Sequence, residues 1–402
     1  MKSMKKWLCL SLALIMAVGM AIIPSGAFDA TEAEKTAVAN ALIEKIKANY
    51  AEYYTIPRIS AEVVNVEQES GNTVYTIAVS LARVLRAESA ADLPYVQGML
   101  TEAVKLDAAC KAVALSDLAT LVNELEEEYI GQEQEENGLY QVSVPTAAAK
   151  TKTERVQSAS YSVVYMDDLT FPVESLRPAS QNELKEQGKA QALTYTASAV
   201  AERQSREAAA ASAMSASATA STAQDYDRID ARNYIRQYCC TNNESNHLCP
   251  YRNTAYSYLD NDCANYVSQA INYGGIARDS IWLPYTQAWA NVGAPYNPER
   301  PGNAVQGVTT YMLNKGFFFQ TINKYRAFAG SIVYWYGKHV GMVDQNDTIT
   351  MTYCAHNRCA KQAPFGSDWV YGFYSEDGQP ADIMSFFVPT WDSYANTWTP
   401  QN

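Results

Sequence analysis

The fold of the second half of this chain is decided by Asp262-Cys263-Ala264-Asn265-Tyr266-Val267-Ser268-Gln269-Ala270-Ile271, a run that stops at Gly274-Gly275. Its apolar residues recur at helical spacing, and the glycine pair marks the end of the predicted helix. Cys263 therefore lies at or beside the helix N-terminus, where unpaired N–H groups and the helix dipole stabilise a thiolate, the nucleophilic form of cysteine. A half-cystine or a buried thiol would suit the same position, so this run alone leaves the role of Cys263 open.

Length and composition predict a folded chain, and the length fits two domains better than one. The 402 residues are 48% hydrophobic and 18% charged, which is enough apolar material for packed cores. The net charge of −12 argues against a nucleic-acid partner, because no basic surface is available to neutralise phosphates. The same charge disfavours direct binding to an anionic membrane.

The N-terminus has the three parts of a secretory signal peptide. Lysines near the start supply positive charge, an apolar stretch runs over residues 7–23, and small residues precede a cleavage point after Ala27. A retained membrane anchor is the alternative interpretation. Removal of residues 1–27 would leave a secreted protein without a membrane anchor, and we expect it outside the cell or associated with the cell wall.

Residues 28–175 are predicted to form a small α+β domain of unknown role. Thr31 and Glu34 match a capping box in front of an amphipathic helix, and strands are predicted further along. A long helical region is predicted over about residues 94–128. This part contains no histidine and shows no catalytic cluster, so we expect an interaction or spacer domain.

Residues 176–225 are predicted to be a linker rich in Ala and Ser. A polar helix is expected over residues 182–206, and the Ala, Ser and Thr run that follows cannot bury enough apolar surface to pack as a core. A second domain is predicted over residues 226–395, where Tyr, Trp and all three histidines are concentrated. We expect the linker to join this domain to the first one and to let the two change their separation.

A sheet that carries a histidine is predicted after the Cys263 helix. Strands are expected over residues 332–336, 340–343 and 348–353, and His339 lies at the start of the second. His339 is the candidate base, because a base must reach the thiol and be held by a third group. The predicted fold class is α+β, and a helix with a cysteine followed by an antiparallel sheet with a histidine is the papain-like arrangement.

The identity of the third group depends on strand register. A two-residue turn at Asn346-Asp347 would put His356 beside His339 on one face, whereas a three-residue loop would put Asn357 there. Either side chain would fix the tautomer of the His339 ring, and we favour His356. Asp344 alternates to the opposite face unless the strand bulges.

Several short motifs of the second half occur together in one known family. They are Tyr226-Asp227-Arg228, Ala231, Tyr234, Pro250-Tyr251, Asp262–Gln269, Gly274-Gly275 and His339–Val343. Over about residues 226–375 the chain resembles an amidase domain of exported proteins of Gram-positive bacteria, which is similar to the CHAP and NlpC-type cell-wall hydrolases. The Asp-Cys-x-Asn-aromatic-Val-Ser-Gln run is the most specific part. Ala264 and Ser331 depart from the family pattern, which has Thr and Asp there.

The resemblance implies a papain-like cysteine amidase or peptidase that acts on cell-wall peptide or a related amide through an acyl-enzyme, without metal or cofactor. Two alternatives stay open. One is a catalytically inactive wall- or partner-binding protein that retained the fold, and the other is a transglutaminase-like acyl transferase that uses the same Cys and His. The implied residues are Cys263 as nucleophile, His339 as general base and acid, His356 or Asn357 as orienting group, and Asp262, Asn265 and Gln269 as support.

Removal of the signal peptide takes Cys9 with it and leaves seven of the eight cysteines. Export permits disulfides, and an odd number leaves one thiol over, which a catalytic cysteine would account for. We predict a disulfide between Cys354 and Cys359, which would fix His356 beside the active site.

A second disulfide is predicted from Cys239 or Cys240 to Cys249. A zinc site made of these three cysteines and His247 is the alternative, although the spacing is not that of a standard finger and export favours disulfides. Separately, four aromatic residues are predicted to line a groove for glycan or peptide, although strand aromatics also suit a core. They are Trp282, Tyr285, Trp335 and Trp369.

Overall fold

The computed structural model describes residues 30–146, 156, 158–165, 169–213, 221–241, 248–293, 307–335, 339–357, 359–366, 384–394 and 396–399. The predicted signal peptide, His247 and Trp369 lie outside these residues, so what was predicted for them stays a prediction. Within the described part of the chain, no helix combines the length and the apolar character that crossing a membrane requires.

The first part of the chain forms a five-stranded antiparallel sheet whose strands follow chain order, with the first helix packed against it. Thr31 and Glu34 make the predicted capping box, so that helix starts where the sequence indicates. The first hairpin turns at Ser70 and Gly71, which both have positive φ. The elements are α1 (Glu32–Tyr50), β1 (Tyr54–Glu69), β2 (Asn72–Leu85), α2 (Pro94–Ala103), α3 (Ala108–Glu128), β3 (Gln134–Pro145), β4 (Ser160–Tyr165) and β5 (Leu169–Pro172).

The helical region predicted over residues 94–128 consists of two helices, α2 and α3. The second begins at Asp107, whose carboxylate accepts hydrogen bonds from the backbone N–H groups of Ala109 (3.1 Å) and Cys110 (3.0 Å). An aspartate in this position satisfies two N–H groups that a new helix would otherwise leave unbonded. The apolar periodicity continues across the break, which is why periodicity alone joined the two helices.

Residues 181–213, which fall in the predicted linker, form two packed helices. The first packs closely on α2 because glycines face each other across the contact: a Cβ on Gly188 would lie 2.0 Å from the carbonyl oxygen of Tyr95, and Gly98 meets the opposite backbone in the same way. This segment is therefore packed structure and not a flexible tether; residues 214–220 lie outside the described part. The helices are α4 (Gln181–Leu193) and α5 (Ala197–Ala213).

The second part of the chain carries the predicted cysteine helix and a second sheet. Its described elements are α6 (Arg228–Gln237), α7 (Cys263–Tyr273), α8 (Gln287–Ala290), α9 (Val308–Asn314), β6 (Phe318–Thr321), β7 (Ile332–Trp335), β8 (His339–Asn346), β9 (Met351–Ala355), β10 (Ala360–Phe365), β11 (Met384–Pro389), β12 (Trp391–Asp392) and β13 (Thr397–Trp398). Six strands form one antiparallel sheet in the order β10-β9-β8-β7-β11-β6, and α7 packs on β8 and β9. The predicted α+β class is confirmed, and a helix packed on an antiparallel sheet is compatible with a papain-like domain.

The two faces of the six-stranded sheet contact different parts of the molecule. Residues along each strand alternate between a core that includes α7 and a core that includes the first sheet. On β8, Val340 and Met342 belong to the first of these cores, and Val343 belongs to the second. Tyr353 of β9 packs edge-on against Tyr165 of β4, with ring centroids 5.1 Å apart. One continuous core therefore joins the two parts of the chain.

A buried ion pair also joins the two parts. Arg228 is fully buried, and its guanidinium donates to both carboxylate oxygens of Glu124 (2.9 and 2.7 Å) and to Asp392 (2.8 Å). Burial disfavours the charged form, but the two carboxylates outweigh it and raise the pKa of Arg228 above its ordinary value, so the guanidinium stays charged. The first residues of α6 are thereby held to α3 and to the C-terminal strands.

Glu124→Ala is expected to lower the free energy of unfolding by about 3–5 kcal/mol, because it leaves a buried guanidinium without its bidentate partner. Urea unfolding followed by tryptophan fluorescence measures this. Glu133→Ala is the matched control, since Glu133 pairs with Arg58 at the surface, where ion pairs contribute about 0–1 kcal/mol. Equal losses in the two variants would contradict the role assigned to Arg228.

Candidate active site

Cys263 is the first residue of α7 and is only 3% exposed. Asp262 precedes it at the N-cap position, but its carboxylate does not cap the helix. Instead, Oδ1 accepts from the Asn265 side chain (2.6 Å) and Oδ2 lies 2.7 Å from Nδ1 of His356. Because the carboxylate is turned away from the first turn, the positive end of the helix dipole acts on the Cys263 side chain. The predicted location of Cys263 at a helix N-terminus is confirmed.

The two predicted supporting residues further along α7 hold the helix among its neighbours. Asn265 donates to Asp262, and its Oδ1 accepts from the indole N–H of Trp289 on α8 (2.8 Å). Gln269 accepts from the hydroxyl of Tyr234 on α6 (2.7 Å). Both side chains are buried. Their bonds position α7 and are satisfied within the core.

His356 lies just after β9 and stacks on Tyr266 of α7, with ring centroids 3.8 Å apart and the planes 9° from parallel. Its Nδ1 is 2.7 Å from Asp262 Oδ2, and its Nε2 is 2.6 Å from the carbonyl oxygen of Tyr238. Both oxygens are acceptors, so both ring nitrogens donate and the ring is an imidazolium. Burial disfavours this charge, but the bond to Asp262 raises the pKa of His356 well above its ordinary value. Neither nitrogen offers a lone pair to a thiol.

The hairpin between β8 and β9 differs from both registers considered in the sequence. Asp347 closes the turn, because its Oδ1 accepts from the backbone N–H groups of Ile349 (3.0 Å) and Thr350 (2.8 Å). β9 consequently starts later than predicted, at Met351, and β8 bulges at Asp344.

The register leaves the orienting group undecided. The pairing of β8 with β9 begins at Met342 and Cys354, and His356 and Asn357 lie in the turn after β9, outside the strand pairing. Asn357 has a φ of 78°, and its buried Oδ1 has no hydrogen-bond partner among the described residues. His356 is bonded to Asp262 and stacked on Tyr266 of α7, and the choice between His356 and Asn357 as the orienting group stays a prediction.

The packing of α7 on β8 sets the helix that starts at Cys263 against the strand that starts at His339. His339 is buried and pairs with Trp335 of β7. Strand alternation puts His339 on the face of Trp335, whereas Val340 and Met342 face the core around α7. Direct contact between the Cys263 sulfur and the His339 ring stays a prediction.

Two of the predicted groove aromatics are core residues. Trp282 and Trp335 are 0% and 3% exposed, and the indole N–H of Trp282 donates to the Ser268 hydroxyl on α7 (3.3 Å). Tyr285 is at the surface, with a positive φ and its hydroxyl bonded to Ser257. The aromatic content that suggested a groove therefore serves mainly to pack α7 and the sheet.

Neither predicted disulfide is present among the described cysteines. Cys354 lies in a strand opposite Gln362, whose backbone N–H donates to its sulfur (3.3 Å). Cys359 follows the turn after β9, and its sulfur lies within 4.8 Å of the sulfurs of Cys240 and Cys249. Their short spacing in the chain thus does not lead to a bridge between Cys354 and Cys359.

Sequence reasoning missed two polar contacts that shape this region. The first is the bond from Asp262 to His356, for which the signal was the i, i+3 spacing of Asp262 and Asn265 on one side of the helix. The second is the ion pair between Arg236 of α6 and Asp344 at the bulge of β8. Nothing in the local sequence indicates this second pair, because it joins separate elements.

Asp262→Ala is expected to lower the free energy of unfolding by about 3–5 kcal/mol, because it removes the partner of a buried imidazolium. Denaturant unfolding measures the loss. Asp260→Ala is the control, since Asp260 is exposed just before the helix and should change stability by less than about 0.5 kcal/mol. A loss no larger than that of the control would show that His356 is not held as a paired cation.

The chain was compared with known proteins. Residues 225–347 match a family model described as "Putative amidase domain", which includes Cys263 and His339 but ends before His356. The chain is 36% identical over 74 residues to an uncharacterized protein, YjcM, of Bacillus subtilis (strain 168), and the match covers 18% of this chain and 16% of that protein's length. No solved structure matches the chain. The family match supports an amide hydrolase, located in the part of the chain that contains α7 and the first half of the sheet.

Proposed function

We propose that this protein is an exported cysteine amidase or peptidase that cleaves an amide bond of cell-wall peptide or a related substrate. Cys263 is the nucleophile, His339 is the general base and acid, and Asn357 orients His339. The proposal of export rests on the predicted signal peptide over residues 1–27, and the cell-wall substrate rests on the resemblance carried by the Cys263 motif. The amide chemistry is supported by the family match.

One observation carries the proposal: Cys263 begins a helix that packs on the strand begun by His339, and both lie within the matched residues. A thiol at a helix N-terminus is favoured as a thiolate, which is the attacking species. The carboxylate of Asp262 does not compete for this end of the helix, because it bonds Asn265 and His356.

The choice of His339 as base follows from the partners of the other described histidine. Both ring nitrogens of His356 are engaged, one by Asp262 and one by the Tyr238 carbonyl. A general base needs a nitrogen lone pair within reach of the thiol. His339 is the remaining candidate among the described residues. Asn357 is proposed as its orienting group because the buried Oδ1 of Asn357 has no hydrogen-bond partner among the described residues.

In the proposed reaction, His339 takes the thiol proton of Cys263 and the thiolate attacks the amide carbonyl carbon. The backbone N–H of Cys263 donates to the oxyanion of the tetrahedral intermediate. The protonated His339 then gives its proton to the leaving amine, and an acyl-enzyme remains on the sulfur. Water activated by His339 attacks the thioester, which releases the acid and regenerates the thiol.

A catalytically silent binding protein is the second candidate function, and one observation favours it. Strand alternation along β8 turns His339 to the face of Trp335 and away from the core around α7. A site in which base and nucleophile occupy opposite faces would not hydrolyse amides. A transglutaminase-like acyl transferase uses the same two residues and differs only in its acceptor, so amine incorporation into product identifies it.

Cys263→Ala is expected to abolish release of products from muropeptides and model amides, with a loss of at least about 10³-fold in rate. Mass spectrometry of the digests, with and without an added primary amine, measures hydrolysis and transfer together. Cys110→Ala is the control, because Cys110 is buried in α3 far along the chain from the site. Wild-type protein that leaves every substrate intact would favour the binding protein.

His339→Gln is expected to lower kcat by about 10²–10⁴-fold, as removal of a general base does. His356→Gln is the comparison, since His356 acts through position: the folded variant should keep kcat within about 10-fold while losing thermal stability. Initial rates on whichever muropeptide or model amide the wild-type protein cleaves, together with melting curves, measure both effects. The opposite pattern of rate losses would assign the base to His356.

A further inference from the structure

A second cluster of chemically reactive side chains lies beside the candidate active site, and the proposed hydrolysis does not use it. The sulfur atoms of Cys240, Cys249 and Cys359 all lie within 4.8 Å of one another, and all three residues are buried. Cys359 also lies within 4.8 Å of the sulfur of Cys239 and of a ring nitrogen of His356. The cluster brings together the chain after α6, the loop before α7 and the turn between β9 and β10.

We propose that this cluster is a structural zinc site, with Cys240, Cys249 and Cys359 as thiolate ligands. Zinc binds thiolates at about 2.3 Å in tetrahedral geometry, which separates the sulfur atoms by about 3.8 Å. The three sulfurs already lie within 4.8 Å of one another, so small shifts of buried side chains close the set. A structural zinc site needs several thiolates close together, and here separate segments of the chain supply three.

The proposal assigns His356 as the fourth ligand, because one of its ring nitrogens lies within 4.8 Å of the sulfur of Cys359, the cysteine shared by both groups. Nδ1 of His356 is bonded to the Asp262 carboxylate, which is the arrangement found behind metal-bound imidazoles. Its Nε2 contacts the Tyr238 carbonyl oxygen, and the Cys249 thiol is directed to the same oxygen at 3.8 Å. Zinc would take the place of the proton on Nε2, so His356 remains unavailable as a base with or without the metal.

Disulfides are the competing account of the cluster. A disulfide joins two sulfurs at about 2.0 Å, so a single bridge within this group of three would leave one buried sulfur over. The Cys239 sulfur, which lies within 4.8 Å of the Cys359 sulfur, would supply the partner for a second bridge. As a thiol, Cys239 can donate its one proton to only one of three nearby carbonyl oxygens at a time, those of Cys240 (3.4 Å), Ala355 (3.3 Å) and Ala360 (3.4 Å).

The zinc site would fasten the end of α6 to the turn that carries His356 and Asn357. That turn lies against Asp262, so the metal would stabilise the surroundings of Cys263 without touching substrate. Because the ligands come together only in the folded chain, the free energy of zinc binding adds to the stability of this region.

Metal analysis of the full chain, purified without reductant or chelator, tests the proposal. Plasma mass spectrometry is expected to find about one zinc ion per chain, as for a closed structural site. Cys240→Ser and Cys359→Ser should each lose the metal. Cys354→Ser is the matched control and should keep it, because Cys354 is buried nearby and its sulfur bonds Gln362 instead.

A measurement on the unsubstituted chain guards against variants that fail to fold. Replacement of zinc by Co²⁺ should give the intense near-ultraviolet absorption of cobalt–thiolate bonds, and removal of the metal by a chelator should lower the melting temperature. Cys263→Ala should retain its zinc, which separates this result from the outcome for hydrolysis.

Two results would overturn the proposal. One is a metal-free chain whose cysteines resist alkylation in denaturant until they are reduced, which would show that the cluster is oxidised to disulfides. The other is a chain whose cysteines are alkylated freely but which takes up neither zinc nor cobalt in stoichiometric amount.

Discussion

The carboxylate of Asp262 is the contact on which the surroundings of the candidate site depend. One oxygen accepts from Asn265 within α7, and the other bonds His356 at the end of β9, so a single buried group ties the helix to the sheet. The same two bonds keep this carboxylate off the first turn of the helix. Its negative charge therefore stabilises the His356 imidazolium, while the helix dipole remains directed at Cys263. The Asp262 side chain is in position to cap α7, but in the structure it bonds Asn265 and His356 instead.

Burial of the six-stranded sheet on both faces constrains the molecule on a larger scale. Each residue of β8 from His339 to Gln345 is buried, because α7 covers one face and the first part of the chain covers the other. A strand in this position is expected to lack the polar alternation of a one-sided strand. The first part of the chain thus covers one face of the second sheet. Arg228 bonds Glu124 in that first part. Arg228 belongs to one of the motifs that carry the amidase resemblance.

Local signals predicted much of this fold. The capping box at Thr31, the helix that begins at Cys263 and the stop at Gly274 are each decided within one turn of chain, and the structure contains all three. The register of β8 and β9 is decided elsewhere: Asp347 closes the turn on its own backbone, and the bulge at Asp344 coincides with an ion pair to another element. Sequence alternation alone assumes an evenly spaced ladder, so it predicted neither the later start of β9 nor the bulge.

The cysteine pairing and the packing of residues 181–213 were missed for a related reason. Short spacing in the chain suggested that Cys354 would pair with Cys359, but no bridge joins them: Cys354 accepts from the Gln362 N–H, and Cys359 lies near Cys240 and Cys249. Low apolar content suggested a linker over residues 176–225 that holds a polar helix, but close backbone contact at Gly188 packs a helix with few large apolar residues against α2. In both cases the deciding contact is tertiary, and no window of local sequence contains it.

The burial of α7 explains why so much depends on the contacts at its N-terminal end. Every residue from Cys263 to Ile271 is buried, so the sides of the helix are closed by the sheet, α6 and α8. Its N-terminal end is bordered by the loop before Asp262 and by the turn that carries His356. The bonds from Asp262 to Asn265 and His356 hold these two segments against the helix. The surroundings of Cys263 are therefore fixed by one carboxylate, and loss of that carboxylate would change the position of the loop and of the turn together.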